Sequence, residues 1–193
     1  MPSRSDDPVA AALEHAAALI EQDVRAVAAA NPVVLIDGGS GAGKSSLAAL
    51  LVRRWPVVGH VQLIALDSLY PGWDGLDGGA ERAREWILGP HGRGYIGIWR
   101  RWDWEEQSEA ESHAVDPSLG MIIEGSGILR PSTAGLADVR VWVESGEASR
   151  KARALARDGD TYRPHWDRWA AQERRHIERD DPRSLATRIV EVP

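Results

Sequence analysis

The chain has 193 residues, 43% hydrophobic and 27% charged, with a formal net charge of −6 and no cysteine. These figures fit one globular domain with a single core, and they exclude disulfide scaffolds, cysteine-ligated zinc sites and thiol nucleophiles. The acidic balance argues against a general nucleic-acid-binding surface.

Two compositional biases stand out. There are nine Trp but no Phe, and among 23 basic residues lysine occurs only at Lys44 and Lys151. No run approaches the roughly 20 apolar residues that a membrane span needs. Asp6 and Asp7 lie where a signal peptide would be basic. The expectation is a cytoplasmic protein forming one domain over residues 1–193, without a membrane or nucleic-acid partner.

In chain order, residues 8–30 read as a helix, with Leu13, Ala17, Ile20, Val24 and Val27 at three- and four-residue steps. Asn31-Pro32 stops it. Residues 33–36 are an unbroken apolar run, the signature of a strand buried on both faces. Residues 44–54 read as helix and 61–66 as a second buried strand. Three more strands are predicted at 121–123, 139–143 and 188–192, with helices at 80–88, 147–157 and 163–179. This alternation predicts a three-layer α/β/α domain around a five-stranded parallel sheet. Residues 72–118 hold one helix among many glycines, tryptophans and charges, and read as an acceptor-facing insertion rather than sheet.

Gly38-Gly39-Ser40-Gly41-Ala42-Gly43-Lys44-Ser45 satisfies G-x-x-x-x-G-K-[ST] between a buried strand and a helix. Glycines let the backbone N–H groups turn toward phosphate oxygens, and the following helix adds its positive end. Lys44 brings a compact charge that the planar arginine fork does not reproduce. Ser45 offers a hydroxyl for Mg²⁺. A chain with two lysines places one where this chemistry requires it. A GTPase is disfavoured, because Lys151 sits in Ser149-Arg150-Lys151-Ala152-Arg153 and cannot supply the guanine-reading N-K-x-D element.

Asp67 follows the second predicted strand directly, and Glu124 follows the third. Ligands of open α/β sheets sit at the carboxyl ends of strands, so both acids project toward the phosphate loop. One can hold Mg²⁺ and one can accept a proton from an attacking hydroxyl.

Residues 36–46 of this loop, together with Leu66-Asp67-Ser68-Leu69-Tyr70 and Ile123-Glu124-Gly125-Ser126-Gly127-Ile128-Leu129, resemble three motifs of the uridine kinase/nucleoside kinase-like P-loop family. The resemblance runs from about residue 33 to 192. It implies ATP-dependent phosphoryl transfer to a primary hydroxyl, usually of a nucleoside, and sheet order 2-3-1-4-5 with a helical lid over residues 147–180. It also implies an ATP site on Gly38 to Ser46, with Lys44 catalytic, Asp67 as general base, Tyr70 lining the acceptor pocket, and Ser45 and Glu124 organising Mg²⁺. ATP and a small-molecule acceptor are the expected partners, and a homo-oligomer is compatible with the sequence.

Trp99-Arg100-Arg101-Trp102-Asp103-Trp104 is similar to the family's aromatic-Asp-aromatic segment over the acceptor. Alternation along an extended chain puts Trp102 and Trp104 on one side, where they could stack on a flat ring. Asp103 or Asp74 could hold ribose-like hydroxyls. The other reading, that these indoles complete a core without Phe, stays open. Where the family often has a base-reading His, this chain has Gln107. Arg150, Arg153 and Arg157 share a helix face, and in the family such arginines form the lid, an expectation strongest for Arg153 and Arg157. Two other functions also fit these residues: a kinase for a sugar acid, vitamin or antibiotic, and an ATP-binding regulatory module.

Overall fold

The computed structural model describes residues 7–193. Helix α1 (Pro8–Ala26) starts at Asp7, whose carboxylate accepts the Val9 amide, and ends four residues before the sequence predicts. Five parallel strands form the central sheet: β1 (Val33–Gly38), β2 (Gln62–Ala65), β5 (Met121–Glu124), β6 (Val139–Glu144) and β7 (Arg188–Glu191). Their order is β2-β5-β1-β6-β7, which among the sheet strands alone is the expected 2-3-1-4-5. β1, at the centre, is buried along its whole length. β2 and β7 are edges and bury only Ile64 and Val190, so β2 is not the doubly buried strand expected from its composition.

The alternation of β1 feeds two cores. Val34 and Ile36 pack with α1 and with Leu47 and Leu51 of α2 (Lys44–Arg53); Val33 and Leu35 face Tyr70, Ile87, Trp166 and Trp169. Residues 76–92 form a longer helical segment than predicted. It comprises α3 (Leu76–Arg82), a π-helical stretch (Ala83–Leu88) and α4 (Gly89–Gly92).

One correction concerns residues 72–118, where no sheet was expected. β3 (Gly97–Asp103) and β4 (Ser108–Val115) pair there as an antiparallel hairpin, with a register shift between Arg100 and Trp102. Short helix α5 (Pro131–Ala134) leads into β6, and helix α6 (Glu147–Tyr162) comes after it. α7 (Trp166–Asp180) and α8 (Pro182–Leu185) then return the chain to β7. No helix among the described residues is long and apolar enough to cross a membrane.

Behind the phosphate loop, the penultimate residue of β1 is the fully buried Asp37. Its carboxylate accepts the amides of Gly127 (2.9 Å) and Leu129 (2.7 Å) and also contacts His176 Nε2 at 3.1 Å. His176 Nδ1 lies 2.9 Å from Asp180. Burial alone lowers the imidazole pKa, but the two carboxylates outweigh it and the net shift is upward. His176→Leu strands a buried carboxylate, so urea denaturation is expected to show a loss of about 3 kcal/mol. A raised folded-state pKa adds stability below the unfolded value, about 6.5, and loses it as pH rises through the folded value. The gap between wild type and variant therefore narrows as pH rises above neutrality.

Candidate active site

The phosphate loop joins β1 to α2. Gly41 has φ 77°, and a Cβ there would stand 2.1 Å from the Arg150 carbonyl oxygen, so only glycine fits. Lys44 is 8% exposed, and its ammonium donates to Gly39 O at 3.1 Å and Ser126 Oγ at 3.3 Å. Such burial without a partner would be costly. The nearby carboxylates of Asp67 and Glu124 supply the opposite charge.

Asp67 sits in the turn after β2, and Glu124 is the last residue of β5. Both open on a cavity of about 630 Å³ that also touches Ser40, Gly41, Lys44, Ser45 and Ser126. Ser45 Oγ donates to Glu124 Oε1 at 2.8 Å. Burial raises the pKa of Asp67 above the usual carboxylate range, against the pull of Lys44 and Arg157. Glu124 is raised for the same reason, with Lys44 opposing and Asp67 adding to the shift. Two carboxylates near one ammonium, open to a cleft, suit proton transfer and a hard cation.

The cavity wall is also aromatic. Trp73, Trp104, Tyr162, His165 and Trp169 line it, with Trp73 stacked on His165 at 4.1 Å and on Tyr162 at 5.6 Å. Trp104 Nε1 donates to the Asp67 carbonyl at 2.8 Å, which ties the hairpin to the acid's own backbone. Tyr70 reaches the wall, but its hydroxyl donates to Ser126 O at 2.8 Å and its ring is buried. Arg157 enters from α6, held by two hydrogen bonds to Asp158 at 2.7 and 2.6 Å. Gly159, at φ 55° and ψ −131°, breaks α6 beside that pair, so Arg157 and Tyr162 can line the same space.

Of the residues singled out from sequence, the structure thus brings Ser40, Gly41, Lys44, Ser45, Asp67, Tyr70, Glu124 and Arg157 together. Gly38, Gly39, Ala42, Gly43 and Ser46 complete the loop but do not line this cavity. Three expected residues lie elsewhere. Asp74 pairs with Arg168. Asp103 accepts the Glu105 and Glu106 amides at 3.0 Å and caps the hairpin turn. Trp102 packs under the Arg82 guanidinium, 5.8 Å from its ring centroid. Arg153 does not touch this cavity: it donates to Gly41 O at 2.8 Å and to Pro193 O at 2.6 Å, and lines a smaller second cavity of about 140 Å³ with Gly43, Lys44, Ser45, Ser46 and Arg157.

Asp158 and Thr161 line the cavity outside any motif, Ser126 lines it from within the third motif, Glu173 holds the Ser40 amide, and Trp169, expected only to pack, reaches the wall as well. Trp169, Gln172, Glu173 and His176 fall at the i, i+3, i+4, i+7 spacing of one buried helix face. Three polar residues on such a stripe were the available signal.

No family model and no curated protein matches the sequence. Among solved structures, a possible uridine kinase from Bacillus stearothermophilus superimposes with TM-score 0.66 at 18% identity, covering 92% of this chain and 98% of that one. The chain shares the fold of that structure. A second structure, described as a putative fructose transport system kinase from Silicibacter sp. TM1040, gives TM-score 0.53 at 18% identity over 90% and 98% of the two chains. At that identity the likeness establishes the architecture, and the chemistry must be argued from the cavity.

Proposed function

We propose that the protein transfers the γ-phosphoryl group of ATP to a hydroxyl of a small uncharged molecule, a nucleoside above all. The supporting observation is the convergence of Lys44, Asp67 and Glu124 on one cavity that aromatic rings also line. The triphosphate would lie along the loop amides and Lys44. The acceptor oxygen attacks the γ-phosphorus, the bond to the bridging oxygen breaks, and ADP leaves. The hydroxyl proton passes to the Asp67 carboxylate.

Ser45 and Glu124 provide oxygen donors of the kind Mg²⁺ takes, alongside phosphate and water. When bound, that ion would offset charge on the phosphate oxygens. Arg157 closes from the lid onto the transferring group. Arg157→Ala is expected to lower kcat by on the order of 10²–10³ with little change in ATP affinity, measured by steady-state kinetics.

The acceptor end also argues against an acid. Lys44 and Arg157 are the Arg and Lys side chains on the cavity wall among the described residues, and this reading engages both with the phosphates of ATP. A carboxylate or phosphate on the acceptor would find no free partner there, which disfavours a sugar acid. ADP release should be compared for matched acceptors, a nucleoside against its monophosphate and a sugar against its acid. The uncharged member is expected to accelerate release. Equal acceleration by the acidic member would contradict the reading.

A further inference from the structure

A glycine-rich loop is entropically costly to hold in one conformation, and this loop contains Gly38, Gly39, Gly41 and Gly43. Something outside the loop must fix its peptide planes. The buried Glu173 of α7, which the transfer steps do not use, stands against it. Its Oε1 accepts from the Ser40 amide and the Ser40 hydroxyl, each at 2.7 Å, and lies 3.0 Å from the Ser126 hydroxyl, which also faces Gly38 O at 2.9 Å. Its Oε2 faces Arg150 Nη1 at 3.4 Å, and the same nitrogen donates to Ser40 O at 3.0 Å.

Glu173 therefore holds the peptide plane before Ser40 by its N–H, while Arg150 holds the plane after it by its C=O. The pair is charge-balanced, so it adds no net field against an incoming phosphate. Ser126 Oγ is shared between Glu173 and the Lys44 ammonium, and this places the lysine as well. Because Arg150 belongs to α6 and Glu173 to α7, two helices of the lid region set the loop.

We propose that Glu173 is a positioning residue: with Arg150 it forms a neutral clamp on Ser40 that pre-organises the phosphate loop for the nucleotide. The inference rests on the reading of this loop as the ATP site. Releasing one residue from a fixed conformation is worth about tenfold in affinity. Glu173→Gln keeps the shape but sets an amide N–H₂ against donors.

The test is equilibrium binding of Mg-ATP to the purified full chain, well below the unfolding temperature. Glu173→Gln is expected to weaken binding at least about tenfold. Gln172→Ala is the matched control: it loosens the same helix, whose Gln172 bonds Trp73 O at 2.7 Å, without touching the loop. It is expected to stay within about twofold of wild type. Wild-type affinity in Glu173→Gln, or an equal loss in Gln172→Ala, would overturn the clamp. If Glu173→Gln does not fold, Glu173→Asp, which keeps the charge but falls short of Ser40, is expected to show the same tenfold loss. Wild-type affinity there overturns the clamp too. Failure of the wild type to bind ATP would instead overturn the underlying site reading.

Discussion

Lys44→Ala is expected to lower turnover by about three orders of magnitude or more while the chain stays folded. The ammonium is the one lysine charge at the loop, and it works where water is scarce, so its electrostatic contribution is large. Its removal also takes from Asp67 and Glu124 the charge that opposes their upward shift. Both carboxyl pKa values then shift further upward, and the phosphate contact is lost. Lys44→Arg is not expected to rescue activity, since a planar fork cannot donate to Gly39 O and Ser126 Oγ from the same position. Single-turnover transfer by each variant, with circular dichroism as the folding control, checks this. Turnover within tenfold of wild type in Lys44→Ala would refute the assignment.

Asp67→Asn separates chemistry from binding. Turnover is expected to fall by about 10²–10⁴, the usual contribution of a positioned base, with ATP affinity nearly unchanged. Stability should move the other way. Burial raises the Asp67 pKa above its unfolded value, so its contribution to stability is fully present at low pH and lost as pH rises through the raised value. Above that raised value the ionised acid therefore costs stability, and there Asp67→Asn should melt at or above the wild-type temperature. The same shift sets the acid limb of the wild-type kcat/KM profile above the usual carboxylate range, with rate rising as pH rises through it. A variant that melts lower and keeps its turnover would mark Asp67 as structural.

The chemistry legible in the sequence was the part that depends on local residue type. The loop's glycines and its rare lysine could be read directly, and so could Asp67 and Glu124, because each strand end aims its next side chains at one edge of a parallel sheet. Contacts made across long chain separations were not legible. Trp102 and Trp104 were expected on one face by alternation, but the register shift at Arg100/Trp102 and the turn after Asp103 separate them. Only Trp104 reaches the cavity. Asp103 was claimed by the turn it caps, and Asp74 by an arginine ninety-four residues away. Arg153 reaches Pro193, the last residue, a contact that no helix-face argument could anticipate. Glu173 was hidden for a similar reason: its partners Ser40, Ser126 and Arg150 come from three different segments.

The central claim is transfer to an alcohol rather than binding or hydrolysis. Its most direct measurement is a single turnover with ATP labelled on the γ-phosphate, run with a panel of nucleosides and other uncharged alcohols. The label is expected on one acceptor's hydroxyl, with ADP formed in equal amount, and on none when Lys44 is replaced by Ala. Label that remains in ATP, or appears only as inorganic phosphate with every acceptor, would contradict the account.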